Sequence, residues 1–230
     1  MAMDTSTTPE PAPARGGRRV SLRDQAYEAI KQRIVRCDLR PGEVITVVDL
    51  AEQLRLGRTP ILQAIDRLTV DGLVSVMPRK GIVVAPVSLD ELVEIVEVRL
   101  LNEGQAARWA ADRASPGDVG RLDANLDATW KAARSNDVDA MIGLDREFHR
   151  LLSAAAGNAI LAEFLANLHD RSLRFWFISL RSPDHNIRVC EQHAAIVEGV
   201  RKHDPEQAEA AMRAHITAFR QNLTGQVSRN

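Results

Sequence analysis

At 230 residues, 45% hydrophobic and 27% charged, the chain is long enough for one or two domains with a substantial core, and its composition is that of a soluble globular protein. No apolar run approaches the ~18 residues that cross a bilayer and the N-terminus has no apolar signal core, so a cytoplasmic protein without membrane insertion is expected. The net charge of −1 hides an asymmetry: residues 15–86 carry 13 Lys and Arg against 8 Asp and Glu, residues 87–230 carry 17 against 21, and a nucleic-acid-facing first part followed by a different second part is the reading.

Residues 1–19 hold three prolines, small polar residues and the basic run Arg15-Gly16-Gly17-Arg18-Arg19, with nothing to bury. They read as a disordered arm, either a solubilising tail or a segment that touches phosphates. From Ser21 to about Cys37, Leu22, Ala26, Ile30 and Ile34 repeat at helical spacing, and the turn Asp38-Leu39-Arg40-Pro41-Gly42 ends that first helix. Thr46-Val47-Val48-Asp49 is a capping-box pattern that opens a short second helix through Leu50, Ala51 and Leu54. Leu56-Gly57 closes it, and Arg58-Thr59-Pro60 opens a third, with the proline in a first turn where a missing N–H is harmless. Two short helices on a tight turn make a helix-turn-helix candidate. The third helix buries Ile61, Ala64, Ile65 and Leu68 and stops at Asp71-Gly72. The β-branched runs Leu73–Met77 and Ile82–Ala85 then flank the basic turn Pro78-Arg79-Lys80-Gly81, a hairpin that would be the wing of a winged helix. The two cysteines, Cys37 and Cys190, lack CxxC spacing and read as free thiols.

Over residues 22–86 the chain resembles the GntR family of bacterial transcription regulators, through Leu50-Ala51-Glu52-Gln53-Leu54, Arg58-Thr59-Pro60, Leu68, Gly72-Leu73 and the wing glycine Gly81. The resemblance implies a homodimer on a pseudo-palindromic double-stranded operator, with recognition helices in the major groove and wings toward the minor groove. It assigns DNA contact to Arg58, Thr59 and Gly81, and the candidate interface extends to Gln63, Arg67, Arg79 and Lys80. The family usually has Arg then Glu where this chain has Leu62 and Gln63, and Val48 replaces a basic residue of some members. Leu62 suits a thymine methyl and Gln63 an adenine edge, so a distinct operator is expected. With fewer cationic contacts and Asp66 on the same face, binding is expected to be weaker and salt-sensitive.

Pro86-Val87 is a short linker, and Ser88-Leu89-Asp90-Glu91 is a second capping-box pattern, opening a long helix through Leu92, Ile95, Val96, Leu100 and Ala107. Breaks at Ser115-Pro116-Gly117, Ser135-Asn136-Asp137, Gly157-Asn158, Ser182-Pro183-Asp184 and Lys202-His203-Asp204-Pro205 divide the remainder into six helices. The expected fold is therefore mainly α: a winged helix-turn-helix over residues 20–86 and an all-helical bundle over 87–226.

Four polar residues of the bundle stand on apolar stripes. Asp145 and His149 share one helical face. His193 lies among Val189, Ile196, Val197 and Val200, and His215 among Ala208, Met212, Ile216 and Phe219. One carboxylate and three imidazoles turned inward from three helices read as a metal site. His169, His185 and His203 fall at stripe edges or in a loop and are left out of it. The donor set suits zinc first, with nickel, copper, iron or manganese as alternatives. A metallohydrolase would use such a site to activate water, but no inward general base and no nucleophile or phosphate-loop motif accompanies it, so an enzyme is not expected. A purely structural metal is the other alternative.

About 135 residues of this second part resemble the FCD ligand-binding domain of the FadR subfamily, with a helix count that fits the VanR-like branch. The resemblance rests on Arg99 followed by Glu103, Asp145-x-x-x-His149, Glu191-Gln192-His193 and Met212-Arg213-Ala214-His215, with Asn102 in place of an apolar residue. It implies a metal with open positions and a small organic acid that binds it and modulates operator binding, most simply in a repressor. Arg99 matches a family position for effector contact, and Arg171 and Arg174 are further candidates to pair with effector oxygens.

Overall fold

The computed structural model describes residues 20–179 and 183–227. The arm expected over residues 1–19 and Ser182 of the expected break at 182–184 lie outside them. The order of elements is α1 (Leu22–Val35), β1 (Val44–Ile45), α2 (Val47–Leu54), α3 (Arg58–Val70), β2 (Val74–Met77), β3 (Gly81–Val84), then the helices α4 (Leu89–Arg113), α5 (Pro116–Ser135), α6 (Val138–Ala155), α7 (Ala159–Ser179), α8 (Pro183–Arg201) and α9 (Pro205–Val227).

In the first domain Ser21 caps α1 and Thr46 caps α2, each side chain accepting from the backbone N–H three residues on. These bonds satisfy amides that a helix start leaves without partners. Ala26, Ile30 and Ile34 of α1 are fully buried against Leu50, Ile61 and Leu68. Leu22 differs from its expected place, since it is the first helical residue and 56% exposed, and Tyr27 takes its role in the core. The three strands form an antiparallel sheet in the order β1-β3-β2, with Val44 opposite Val83 and Met77 opposite Gly81. β1 has no counterpart in the sequence reading, because two residues carry no period. Arg79 and Gly81 at the wing tip both have positive φ, 67° and 93°. The glycine accepts that backbone without cost, whereas the arginine holds a conformation that disfavours a side chain by about 1–2 kcal/mol.

Among the described residues the second domain is six helices. Ser115 and Asp118 form a reciprocal capping box at α5, with Pro116 as its first residue, and Asp204 caps α9 by accepting from the Gln207 amide. Ser88 caps α4 by accepting from the Glu91 N–H, but the Glu91 carboxylate does not return the bond. It meets Arg171 and Arg174 of α7 instead. Arg174, fully buried, also donates to the Ala85 carbonyl at 2.8 Å, so this pair fastens the linker to the bundle. The bundle core runs through Leu92, Val96, Leu122, Met141, Phe148, Leu152, Val197 and Met212. Gly199 lets α8 approach α9 at its start, where an added Cβ would lie 2.7 Å from the Ala208 nitrogen. No helix among the described residues is long and apolar enough to cross a membrane.

Candidate metal centre and nucleic-acid interface

α6 brings Asp145 and His149 to the bundle interior one turn apart, α8 brings His193 and α9 brings His215, and all four are buried. One ligand atom from each lies within 4.8 Å of every other. The His193 Nε2 is 3.4 Å from Asp145 Oδ1, and its ring stacks on Phe148 with centroids 3.8 Å apart and planes at 8°.

Two of the imidazoles are fixed by partners behind them. His149 Nδ1 is 2.6 Å from Glu103 Oε2, and His215 Nδ1 is 2.9 Å from Gln192 Oε1. Since a carboxylate and an amide oxygen only accept, both Nδ1 atoms carry the proton and both Nε2 lone pairs are free for a cation. Glu103 is neutralised in turn by Arg99, one turn before it on α4. Asp145 Oδ1, His149 Nε2 and both nitrogens of His193 are buried without a hydrogen-bond partner. Such groups are costly to bury unless something binds them. Burial pushes the His193 imidazole below its ordinary pKa and the His215 imidazole well below it, so both stand neutral near pH 7. Burial alone would raise the Asp145 carboxyl, but His169, His193 and His149 around it hold it well below the usual carboxylate range. A carboxylate and neutral imidazoles are the protonation states a divalent cation needs, and the donor set fits one.

His169 belongs to this cluster, contrary to its expected place at a stripe edge. It is buried on α7 with its Nε2 3.2 Å from Asp145 Oδ2, and neither ring nitrogen has a well-aligned hydrogen bond. It sits four residues after Leu165 and four before Leu173, both buried, which is inward helical spacing. With Glu103 and His149 it forms a second group of closely spaced ligands. His185, also expected outside the core, is buried with its Nδ1 3.0 Å from Asn222 Nδ2. His203 is exposed in the turn after α8, as expected of a loop residue, with its Nδ1 2.7 Å from the Ala111 carbonyl.

A cavity of about 330 Å³ lies beside the centre, lined among others by Glu103, His149 and His169 and by Arg146, Arg150 and Ser153. Of the arginines expected to meet an effector, Arg99 is buried next to the centre and borders a small void with Asp145, Ser172 and His215. Arg171 and Arg174 are not there. They are engaged with Glu91 and the Ala85 carbonyl at the domain junction. The sequence reading missed Arg146 and Arg150, which follow Asp145 and His149 by one residue each and line the cavity. Asn102 is satisfied within its own helix by the Val98 carbonyl, 2.8 Å away.

On the first domain, Arg58, Thr59, Leu62, Gln63 and Asp66 are exposed along α3, and Val48 of α2 is 51% exposed. Gly57 at the N-cap offers no side chain, and α3 has no acidic residue in its first turn, so its leading amides carry no side-chain cap and its positive dipole end is not offset, as phosphate contact requires. Arg79 and Lys80 are exposed at the wing tip, with Gly81 closing the turn. Arg67, expected among the DNA contacts, turns toward α1 instead. Its guanidinium lies 3.7 Å from the Tyr27 ring centroid and 3.6 Å from Asp24.

Residues 22–84 match the bacterial regulatory proteins of the gntR family, and residues 94–218 match the FCD domain. The uncharacterized HTH-type transcriptional regulator YdhC of Bacillus subtilis (strain 168) is 29% identical over 194 residues, which are 84% of this chain and 86% of that protein. The HTH-type transcriptional repressor RspR of Escherichia coli (strain K12) is 24% identical over 202 residues, 88% and 89% of the two chains. Among solved structures, E. coli McbR/YncC shares the fold with a TM-score of 0.83 at 24% identity, over 90% of this chain and 99% of that one. These families and relatives are DNA-binding transcriptional regulators and not enzymes. A winged helix that displays α3 and a basic wing, joined to an FCD bundle that fills more than half of the sequence, places the chain in the GntR family of bacterial regulatory proteins.

Proposed function

We propose that the chain is a cytoplasmic repressor of the VanR-like branch, acting as a homodimer on a pseudo-palindromic operator, whose FCD bundle binds a divalent metal and a small organic acid. The observation that carries this reading is the buried Asp145, His149, His193 and His215 set, with unpartnered lone pairs and prearranged partners behind two of its rings, beside a cavity. Those four residues would hold the metal, and zinc suits three imidazoles and one carboxylate first. A bound cation supplies an anchor for a carboxylate oxygen. Arg146 and Arg150 line the cavity together with Glu103 and Glu147. Each arginine is paired with a carboxylate, Asp170 and Glu147 respectively, and either would exchange that partner for an oxygen of an organic acid.

The repressor direction is supported by the name of the E. coli relative RspR. A self-contact is supported by Leu89, Val93 and Leu101, which stand exposed at helical spacing along α4. Two copies would then present two α3 helices to adjacent major-groove segments.

The test uses zinc-loaded protein and a DNA fragment selected from a random pool. Across a panel of two- to six-carbon mono-, di- and tricarboxylates, at least one is expected to raise the operator Kd by about tenfold, within the usual range of allosteric coupling. His193→Ala is expected to lose both zinc and the response. A DNA affinity unchanged across the whole panel, with zinc present, counts against the effector reading. Removing zinc with a chelator is expected to leave the helical circular dichroism intact, whereas a purely structural metal would unfold the bundle on chelation.

A further inference from the structure

We infer that Lys31, a residue of the DNA-binding domain, sets the metal affinity of the FCD bundle through a two-rung ladder between α6 and α7. The inference rests on the metal reading above and adds the route by which the centre and the DNA-binding domain sense each other.

The ladder consists of two consecutive residues on each helix. The inner rung joins Asp145, a metal-ligand candidate, to His169, with Oδ2 and Nε2 3.2 Å apart. The outer rung joins Arg146 to Asp170, with Nε and Oδ1 2.7 Å apart. Lys31 of α1 reaches the other oxygen of the same carboxylate, its Nζ 2.8 Å from Asp170 Oδ2, and both side chains are buried. The chain of contacts continues inside the first domain. Lys31 Nζ donates to the Tyr27 hydroxyl at 3.2 Å, and that hydroxyl donates to Asp71 at 2.6 Å, at the C-terminal end of α3. Arg67 of α3 covers the Tyr27 ring. Buried or half-buried polar contacts therefore run from Asp170 to the helix that displays Arg58, Thr59 and Gln63, and the backbone between adjacent residues 145–146 and 169–170 joins them to a metal-ligand candidate.

Open space lies on both sides of the outer rung. Arg146 and Gly143 line the 330 Å³ cavity beside His149, and they also line a second cavity of about 200 Å³ at the domain junction, with Lys31 and Arg36. A Cβ at Gly143 would meet nothing within 4 Å, so the rung has room to move.

Two cations from different elements pin Asp170, and Asp170 pins α7 at the residue next to His169. In that arrangement His169 holds the Asp145 carboxylate from Oδ2, while a metal on Oδ1 must bring that oxygen and His149 Nε2 closer together than their present 4.0 Å. Lys31 therefore opposes metal loading, and by reciprocity metal loading loosens Lys31 from the bundle.

The experiment measures the zinc Kd of the full chain by competition with a chromophoric chelator. Lys31→Met and Asp170→Asn are both expected to tighten zinc by about fivefold or more. Arg36→Met, which removes the more exposed cross-domain pair with Asp139, is expected to leave it unchanged. Charge alone predicts opposite signs, since losing a cation tightens and losing a carboxylate weakens the binding of a dication. Opposite signs, or an unchanged Kd in both variants, overturn the ladder. Should either variant fail to fold, hydrogen exchange of the α1 amides in the wild type decides: faster exchange with zinc supports the ladder and unchanged exchange overturns it. A wild type that takes up no zinc removes the metal reading and the ladder with it, while zinc binding that ignores Lys31 and Asp170 removes the ladder alone.

Discussion

Gln192 is the clearest case of a residue whose role depends on its neighbour. Its Oε1 holds His215 in the tautomer that presents Nε2 to the centre, as Glu103 does for His149. Gln192→Ala leaves every ligand candidate in place, yet it is expected to weaken zinc by about 10–100-fold, the usual loss when such a partner is removed. A chelator competition that finds wild-type affinity would show that His215 needs no orienting. The burial and convergence of Asp145, His149, His193 and His215 were legible, because four polar residues on apolar stripes are conspicuous. The pairing of Glu103 with His149 and of Gln192 with His215 was not, since both stand in the resemblance without any local pattern that says which imidazole they meet. On the DNA side, Leu62 is 50% exposed on the α3 face. Leu62→Arg is expected to shift base preference at the contacted position toward guanine by about 1–3 kcal/mol, read from binding to a set of single-base operator variants. Unaltered preference would mean that this face does not meet the bases.

At the scale of elements, helix starts were the most legible features, because Ser21, Thr46, Ser88, Ser115 and Asp204 act chemically within three residues of themselves. What a local pattern cannot reveal is competition from far along the chain. Glu91 completes a capping box by pattern, but two arginines some eighty residues away claim its carboxylate. The same distance explains Arg171 and Arg174, whose charges suited an effector and serve the domain junction. Helix contacts raise the same issue at Gly199. A methyl group there would sit 2.7 Å from the Ala208 nitrogen and 2.8 Å from its Cα. Backbone cannot yield as a flexible side chain can, so α8 and α9 must separate. Gly199→Ala is expected to destabilise the chain by about 1–3 kcal/mol despite its better helix propensity. A urea midpoint equal to or above that of the wild type would show that the two helices have slack.

For the whole molecule, composition and turn chemistry are what suggest a division near residue 86, whereas the contacts between the two parts have no local signal. Lys31 and Asp170 are 139 residues apart, and no period links them. The centre also makes stability depend on pH in a direction that can be worked out. In the metal-free protein the pKa values of His193 and His215 lie below their ordinary value because of burial. As pH falls below about 6.5 the unfolded chain takes up protons on these residues that the folded chain refuses. The unfolded state therefore binds more protons, and folding stability falls with falling pH, by at most about 1.4 kcal/mol per unit for each histidine. Asp145 and Glu103, held well below the carboxylate range, add their own loss only lower, starting near pH 4. Chelator-treated protein is thus expected to show urea midpoints that decline between about pH 7 and 5, and His215→Gln is expected to flatten that decline. Stability that stays level across this window would mean that the buried imidazoles accept protons in place, and that the centre is open to water.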